Sequence, residues 1–158
     1  SFDPHVAGTP PLGLDLPASD IDLLCHAPEP ERFAKLVWTA LNQHDRFSMH
    51  QWTANGRPLI ISFHAHGWPF EIFAADQPVC DQAGWRHFLV EKRLLEIGGQ
   101  SFRAAVMDAR MQGLKTEPAF ARRLGLSGDP YDALLTLERA TNTELTALLI
   151  KAGYGATR

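Results

Sequence analysis

Two carboxylates one residue apart, Asp20 and Asp22 in the run Asp20-Ile21-Asp22, sit twelve residues behind the pair Gly8-Thr9. On a strand, residues two apart point to the same face about 6 to 7 Å from each other, so these two acids project side by side. Adjacent carboxylates repel. A shared proton or a cation relieves that repulsion, and a divalent, oxygen-preferring metal is the usual solution when a third carboxylate converges from a neighbouring strand. Glu71, between Phe70 and Ile72, has the flanking pattern of such a third acid. Asp15, between Leu14 and Leu16, and Glu96, between Leu95 and Ile97, share that pattern. Asp15 reads better as part of a turn, and Glu96 falls near a helix end, where no strand aims it at the pair. The competing reading of Glu71 is a surface acid on an edge strand.

These acids need elements to hold them. Residues 21–25 read as a buried strand following a loop over 8–19. Pro30 suits a first helical turn, and Phe33, Leu36, Val37, Ala40 and Leu41 recur at helical spacing to about His44. Asn55-Gly56, between strands over 46–54 and 57–66, predicts a two-residue hairpin with positive φ at both centres. A second turn at His66-Gly67-Trp68 leads into a strand over 69–75 that carries Glu71. The first half thus reads β, α, β, β, β. The second half reads as helices over about 80–97, closed by Gly98-Gly99, and over 101–112, closed by Gly113. Further helices follow over 117–124, stopped by Gly125, over 130–139, and around Leu145, Leu148 and Leu149 before Gly153. The expectation is an α+β fold: a mixed sheet of about four strands with helices packed on it and a helical C-terminal half. With no repeat or long linker, it reads as a single domain over 1–158, sheet-rich over 1–78 and helical over 79–158.

Composition narrows the class. A chain of 158 residues is the size of one domain, and its 45% apolar and 21% charged content is that of a soluble globular protein. No apolar run approaches the roughly 18 residues of a membrane span. Cys25 and Cys80 are too few for a disulfide framework; both read as buried free thiols of a cytoplasmic protein. The chain opens on Ser1 rather than Met with no signal-like stretch before Gly8, which points to an N-terminal element preceding it. A net charge of −3 does not indicate nucleic-acid binding, but charge is uneven. Residues 1–84 hold 10 acids against 4 Lys or Arg, and residues 85–123 hold 8 Lys or Arg against 4 acids. An acidic segment for metal beside a basic one for phosphate suits a nucleotide enzyme; the plainer alternative is that the basic residues solvate outer helix faces.

Taken together, Gly8-Thr9, Gly13, Ser19-Asp20-Ile21-Asp22 and the apolar-flanked Glu71 resemble the signature of the DNA polymerase beta-like nucleotidyltransferase superfamily. More narrowly, Gly-Thr-x-Pro-x-Gly over 8–13, the Ser-Asp-x-Asp run, Phe70-Glu71-Ile72-Phe73 and Trp85-Arg86-His87-Phe88 resemble a family of small bacterial proteins within it, the domain of unknown function numbered 4269. The narrower resemblance covers about 8–97. It implies a nucleotidyltransferase-like fold and two-metal nucleotidyl transfer, with Asp20 and Asp22 holding Mg²⁺ (or Mn²⁺) and Glu71 completing the second site. It also implies that Gly8, Thr9 and Ser19 contact the nucleotide: Gly8 lets the backbone approach phosphate and Thr9 offers a hydroxyl. Pro10 and Pro11 depart from the superfamily's loop, because neither has an N–H for phosphate. That makes the loop a poorer anion nest, leaving the triphosphate to side chains or its binding lost.

Arg86 and Arg93, seven apart on one face of the predicted helix, are candidate phosphate clamps, with Lys92 nearby off that line. A solvated helix face accounts for them equally. His64 and His66 alternate with Ile60 and Ser62 on one strand face; His64 borders the site if Asp20 and Asp22 share that face, although an H-x-H pair is more often a polar strand end. Trp38, Trp52, Trp68 and Trp85 form no aromatic-basic stripe of the kind that binds single strands. Walker, G-x-S-x-G, H-E-x-x-H and zinc-ribbon patterns are missing. The expected activity is transfer of a nucleoside monophosphate from a nucleoside triphosphate to an unidentified hydroxyl acceptor. The alternatives are a noncatalytic nucleotide- or protein-binding module on the same fold, and a phosphodiesterase using the same acids.

Overall fold

The computed structural model describes residues 2–53 and 55–155. By its internal contacts the chain divides into two units, Ser1–Trp85 and Arg86–Arg158.

The first unit is built on a five-stranded sheet. Its strands are β1 (His5–Ala7), β2 (Ile21–His26), β3 (Asp45–Gln51), β4 (Leu59–Ala65) and β5 (Trp68–Ala75), in spatial order β1-β2-β5-β4-β3. Among the described residues only β2 and β5 are parallel neighbours; the other pairs are antiparallel. The sequence reading omits β1, a three-residue edge strand too short to show a period of two. Helix α1 (Pro30–Leu41) follows β2, with Pro30 at its start and Glu31 in its first turn, both suited to a helix N-terminus. Phe33, Ala34, Val37 and Leu41 pack with Leu23, Cys25, Leu59, Ile61, Phe63, Ile72 and Ala74 into the core on one sheet face. The α1 stripe is narrower than its apolar content suggests, because Leu36 and Trp38 point outward. Ile61, fully buried, anchors this layer; full burial of such a side chain contributes roughly 1.5 to 3 kcal/mol.

The two hairpins differ from the sequence expectation in an instructive way. Asn55 and Gly56 do have positive φ, 52° and 79°, but Arg57 does too at 54°, and pairing stops at Gln51 and Leu59. This loop is therefore wider than two residues; Ala54 lies outside the described residues. The two-residue turn is instead His66-Gly67, φ 51° and 80°, which joins Ala65 directly to its register partner Trp68. Positive φ at both centres matches the twist of the strands, so His accepts a conformation usually left to Asn or Gly.

Beyond β5, a 3₁₀ turn over Val79–Asp81 leads into α2 (Ala83–Met111), and the boundary between units falls after Trp85. Gln82 Nε2 donates to the carbonyls of Cys25 and Gln77, tying this turn to the end of β2. Cys25 is buried as expected, and burial, reinforced by the charge of Asp3, pushes its thiol up to about 11. Cys80 is exposed, contrary to expectation, because it lies in the 3₁₀ turn rather than inside a helix.

The second unit is helical. α2 is interrupted at Gly99, whose φ of 65° and ψ of −158° no helix holds, as the Gly98-Gly99 pair predicts. A Cβ on Gly98 would lie 2.7 Å from that of Phe102, so the glycine admits this core ring. Then come α3 (Thr116–Leu124), ended by left-handed Gly125, α4 (Pro130–Leu135) and α5 (Asn142–Lys151). α4 is shorter than its sequence window and gives way to turns. Asp129 caps its start, accepting from the N–H groups of Tyr131 and Asp132. Thr141 and Glu144 form a reciprocal capping box on α5. The core gathers Phe102, Phe120, Leu134, Leu145 and Leu149, with Phe102 edge-on to Phe120 and to Tyr154. Among the described residues no helix is long and apolar enough to cross a membrane.

Candidate functional site

Parallel pairing of β2 with β5 decides where the acids meet. Asp22 and Glu71 are register partners, so their side chains leave the sheet next to each other on the same face. Asp20 precedes the strand by one residue, two before Asp22 on that face. β5 is the central strand, so Glu71 is not an edge acid. The opposite face is the core against α1, which leaves Asp20, Asp22 and Glu71 on the side that helix does not cover.

Electrostatics give the same picture. Burial raises the carboxyl of Glu71 above the ordinary glutamate range, the charge of Asp20 raises it further, and His50 on β3 opposes both. Asp20 and Glu71, 51 positions apart in the chain, therefore feel each other's charge. Among the described residues no three His, Cys, Asp or Glu side chains gather closely enough to hold a metal ion as they stand. The donor set nonetheless suits a hard divalent cation by its chemistry: three carboxylates on one face, of which Asp20 and Glu71 carry a repulsion that a cation relieves.

The loop before β2 is shaped around Asp22. Gly8 has φ 74°, and a Cβ there would run into the Asp22 carboxylate, so the backbone of Gly8 passes directly against this acid. The sequence resemblance offers Gly8 as a close approach to phosphate; in this fold the group approaching it is the carboxylate itself. Thr9 donates its hydroxyl to that of Ser19 at 3.2 Å, and Ser19 Oγ in turn accepts from the Leu16 N–H at 2.9 Å. Thr9 and Ser19 therefore brace the two ends of the loop. Pro10 begins a 3₁₀ turn, Pro10–Leu12, in which the N–H groups of Leu12 and Leu14 donate to the Thr9 carbonyl and that of Gly13 to the Pro10 carbonyl. The prolines thus come with neighbouring N–H groups already turned inward, consistent with a poor anion nest.

Arg86 and Arg93 have other partners. Arg86 grips the Glu138 carboxylate through two hydrogen bonds, Nε to Oε1 at 2.8 Å and Nη2 to Oε2 at 2.7 Å. That pairing holds the Glu138 carboxyl below its ordinary range. Arg93 donates to the carbonyls of Glu138 and Ala140 and to Asn142 Oδ1. Both guanidiniums brace the segment between α4 and α5 within the second unit. Seven-residue spacing marks a shared helix face but not what that face meets. Asp15 lies exposed in the loop before β2 and Glu96 exposed on α2, so neither replaces Glu71.

His64 does lie on the acidic face, since Ser62 is the register partner of Glu71 and His64 that of Pro69. His66 is in the turn. His50 was not singled out by sequence, although its strand was; only the β3–β4 register, with His50 opposite Ile60, puts it on this face.

The model of one protein family, described as a domain of unknown function (DUF4269), matches residues 1–137. The chain belongs to that family. A search of curated proteins by sequence finds no match to this DUF4269 member. Among solved structures, the GLD-2/RNP-8 complex aligns with a TM-score of 0.51 at 16% identity over 85% of this chain and 48% of the other. The polymerase core of TRAMP, an RNA surveillance complex, aligns with a TM-score of 0.48 at 19% identity over 96% of this chain and 50% of the other. The DUF4269 chain thus spans about half the length of the structures it matches. At such identity the first likeness shows the fold alone.

Proposed function

We propose that this protein is a metal-dependent nucleotidyltransferase that moves a nucleoside monophosphate from a nucleoside triphosphate to a hydroxyl acceptor. The observation that carries this reading is the parallel register of Asp22 with Glu71, with Asp20 on the same face and its charge acting on Glu71. Such a trio is what in-line phosphoryl chemistry requires. Mg²⁺ or Mn²⁺ would be held by Asp20, Asp22 and Glu71 and would supply charge neutralisation for the triphosphate and its leaving group.

The chain's own residues do the rest. The acceptor hydroxyl attacks the α-phosphorus, a new P–O bond forms as the bond to the β-phosphate oxygen breaks, and pyrophosphate departs. Glu71 would complete the cation's ligand set beside the acceptor, and the hydroxyl proton leaves to solvent as the new bond forms. Gly8 keeps the loop backbone pressed on Asp22, and Thr9 with Ser19 holds that loop closed, fixing the acid's direction. Two cysteines with no disulfide suit a cytoplasmic location.

The test is calorimetric and chemical. Mn²⁺ with a nonhydrolysable triphosphate should bind the wild type and raise its melting temperature, as any ligand of the native state does. The Asp20→Asn, Asp22→Asn double variant should lose that response. Equal heats in the two proteins remove the site. Binding without pyrophosphate release in the presence of any hydroxyl acceptor identifies the noncatalytic alternative, and hydrolysis of a phosphodiester without pyrophosphate identifies the phosphodiesterase.

A further inference from the structure

Beneath α1, on the sheet face away from the acids, the C-terminal ends of the parallel strands β2 and β5 open into a cleft of about 430 Å³. That volume falls within the roughly 300 to 1,000 Å³ of small-molecule sites. Ala74 lies three residues past Glu71 on β5 and so points to the opposite face; Leu59 on β4 is its register partner. With Ala27, and with half-buried Ala34 from α1, they line the cleft with apolar surface whose alanines leave the space open.

The walls are charged. The first turn of α1 brings Glu31 to one side, the β3–β4 loop brings Gly56 and Arg57 to another, and Asp76 follows directly on β5. Gln51 sets the arginine: its Nε2 donates to the Arg57 carbonyl at 2.8 Å, and its Oε1 accepts from Arg57 Nη2 at 3.4 Å. The rest of the guanidinium fork stays open. Asp76 is held through its backbone, its carbonyl accepting from His26 Nε2 at 3.1 Å. A Cβ built on Gly56 would lie 3.7 Å from Asp76 Oδ1, so this carboxylate borders the residue next to Arg57 in the chain. Yet among the described residues no ion pair joins Arg57 to Asp76 or to Glu31.

Unlike charges beside one apolar floor, and not on each other, complement a molecule that carries both charges a short distance apart and an apolar group beyond them. A simple anion would meet two carboxylates and one guanidinium. A simple cation would meet Arg57. An α-amino acid satisfies both, because its ammonium and carboxylate flank a single carbon.

We propose that this cleft binds a free α-amino acid with a branched apolar side chain, its carboxylate on Arg57, its ammonium on Asp76 and its side chain on Ala27, Leu59 and Ala74. Glu31 adds to the negative field around the ammonium. The site is no part of the nucleotidyl-transfer centre, since the sheet stands between it and the carboxylates of Asp22 and Glu71.

The experiment uses the full chain, labelled for ¹H–¹⁵N spectroscopy, with the amides of Ala27, Gly56 and Arg57 assigned. L-Leucine, leucinamide, 4-methylpentanoate and L-serine are titrated separately. L-Leucine should shift these amides saturably. Leucinamide lacks the carboxylate and 4-methylpentanoate the ammonium, so each should bind about tenfold more weakly or worse, as should L-serine, which lacks the apolar group. Arg57→Gln and Asp76→Asn should each weaken L-leucine about tenfold with an unchanged melting temperature, since both side chains are exposed. No saturable shift with L-leucine overturns the proposal. So does an analogue that binds as tightly as L-leucine, or undiminished L-leucine binding in either variant.

Discussion

In the unit Ser1–Trp85, the carboxylates of Asp20, Asp22 and Glu71 share one sheet face, and the charge of Asp20 pushes the Glu71 carboxyl up. In the unit Arg86–Arg158, by contrast, three arginines are matched to partners. Arg86 holds Glu138, Arg93 holds two carbonyls, and Arg123 holds Asp108 and the Ala105 carbonyl. Glu91 on α2 is buried, with no hydrogen-bond partner for Oε1 among the described residues. Burial holds its carboxyl well above the usual range, the charge of Glu117 adds to this, and Arg110 opposes it. Like charges brought together on one face are where a proposed cation would act, whereas matched charge is architecture.

The comparison can be broken most decisively at the acids. The Asp20→Asn, Asp22→Asn variant should lose about 10³-fold in pyrophosphate release, the several kcal/mol that metal-borne charge stabilisation supplies, without a lower melting temperature. A large loss of stability with activity retained would show that the acids are structural. Gly8→Ala comes next: it forces a side chain into left-handed backbone and into the Asp22 carboxylate, for about 2 kcal/mol or more of stability read by urea unfolding. A neutral Gly8→Ala would mean that the loop does not press on Asp22.

Arg93→Ala should cost about 2 kcal/mol through the two released carbonyls, with unchanged nucleotide affinity per folded molecule. Loss of triphosphate binding at full stability would support the phosphate-clamp role and erase the contrast between the units.

The smallest effects separate the two strained glutamates. Each carboxyl is raised in the folded protein, so between the unfolded value near about 4.3 and the folded one the native state holds more protons, and stability falls as pH rises through that interval. Glu71→Gln and Glu91→Gln should both flatten that fall and gain a few degrees of melting temperature above it, on the order expected for a domain this size, with no gain at lower pH. Only Glu71→Gln should also lose activity. A profile unchanged by either substitution would show that the carboxyl in question is not strained.

Much of the fold was legible in the sequence where the signal is local. Pro30 and the Phe33, Val37, Leu41 spacing mark α1, alternation marks β4, and Gly98-Gly99, Gly113 and Gly125 mark helix breaks, because capping and periodicity act within a few residues. Hairpin width was less legible. Asn55-Gly56 has the right chemistry for a tight turn but lies in a wider loop, while His66-Gly67 makes the tight one, because strand register, set by the buried faces, outweighs turn preference. β1 stayed hidden because three residues carry no period.

For the site, the residue types and the Gly, Ser-Asp-x-Asp spacing were enough to propose three acids and a divalent cation, since that chemistry is written in neighbouring positions. Which charges remain open to a ligand was not. Arg86 and Arg93 look like Asp20 and Asp22 on paper: charged, regularly spaced, on one face. Only the tertiary structure decided that the arginines meet Glu138, Ala140 and Asn142, and that His50 shares the face of Glu71. Partners separated by tens of residues are chosen by packing and strand order, whose energies depend on the whole fold and leave no local mark on the chain.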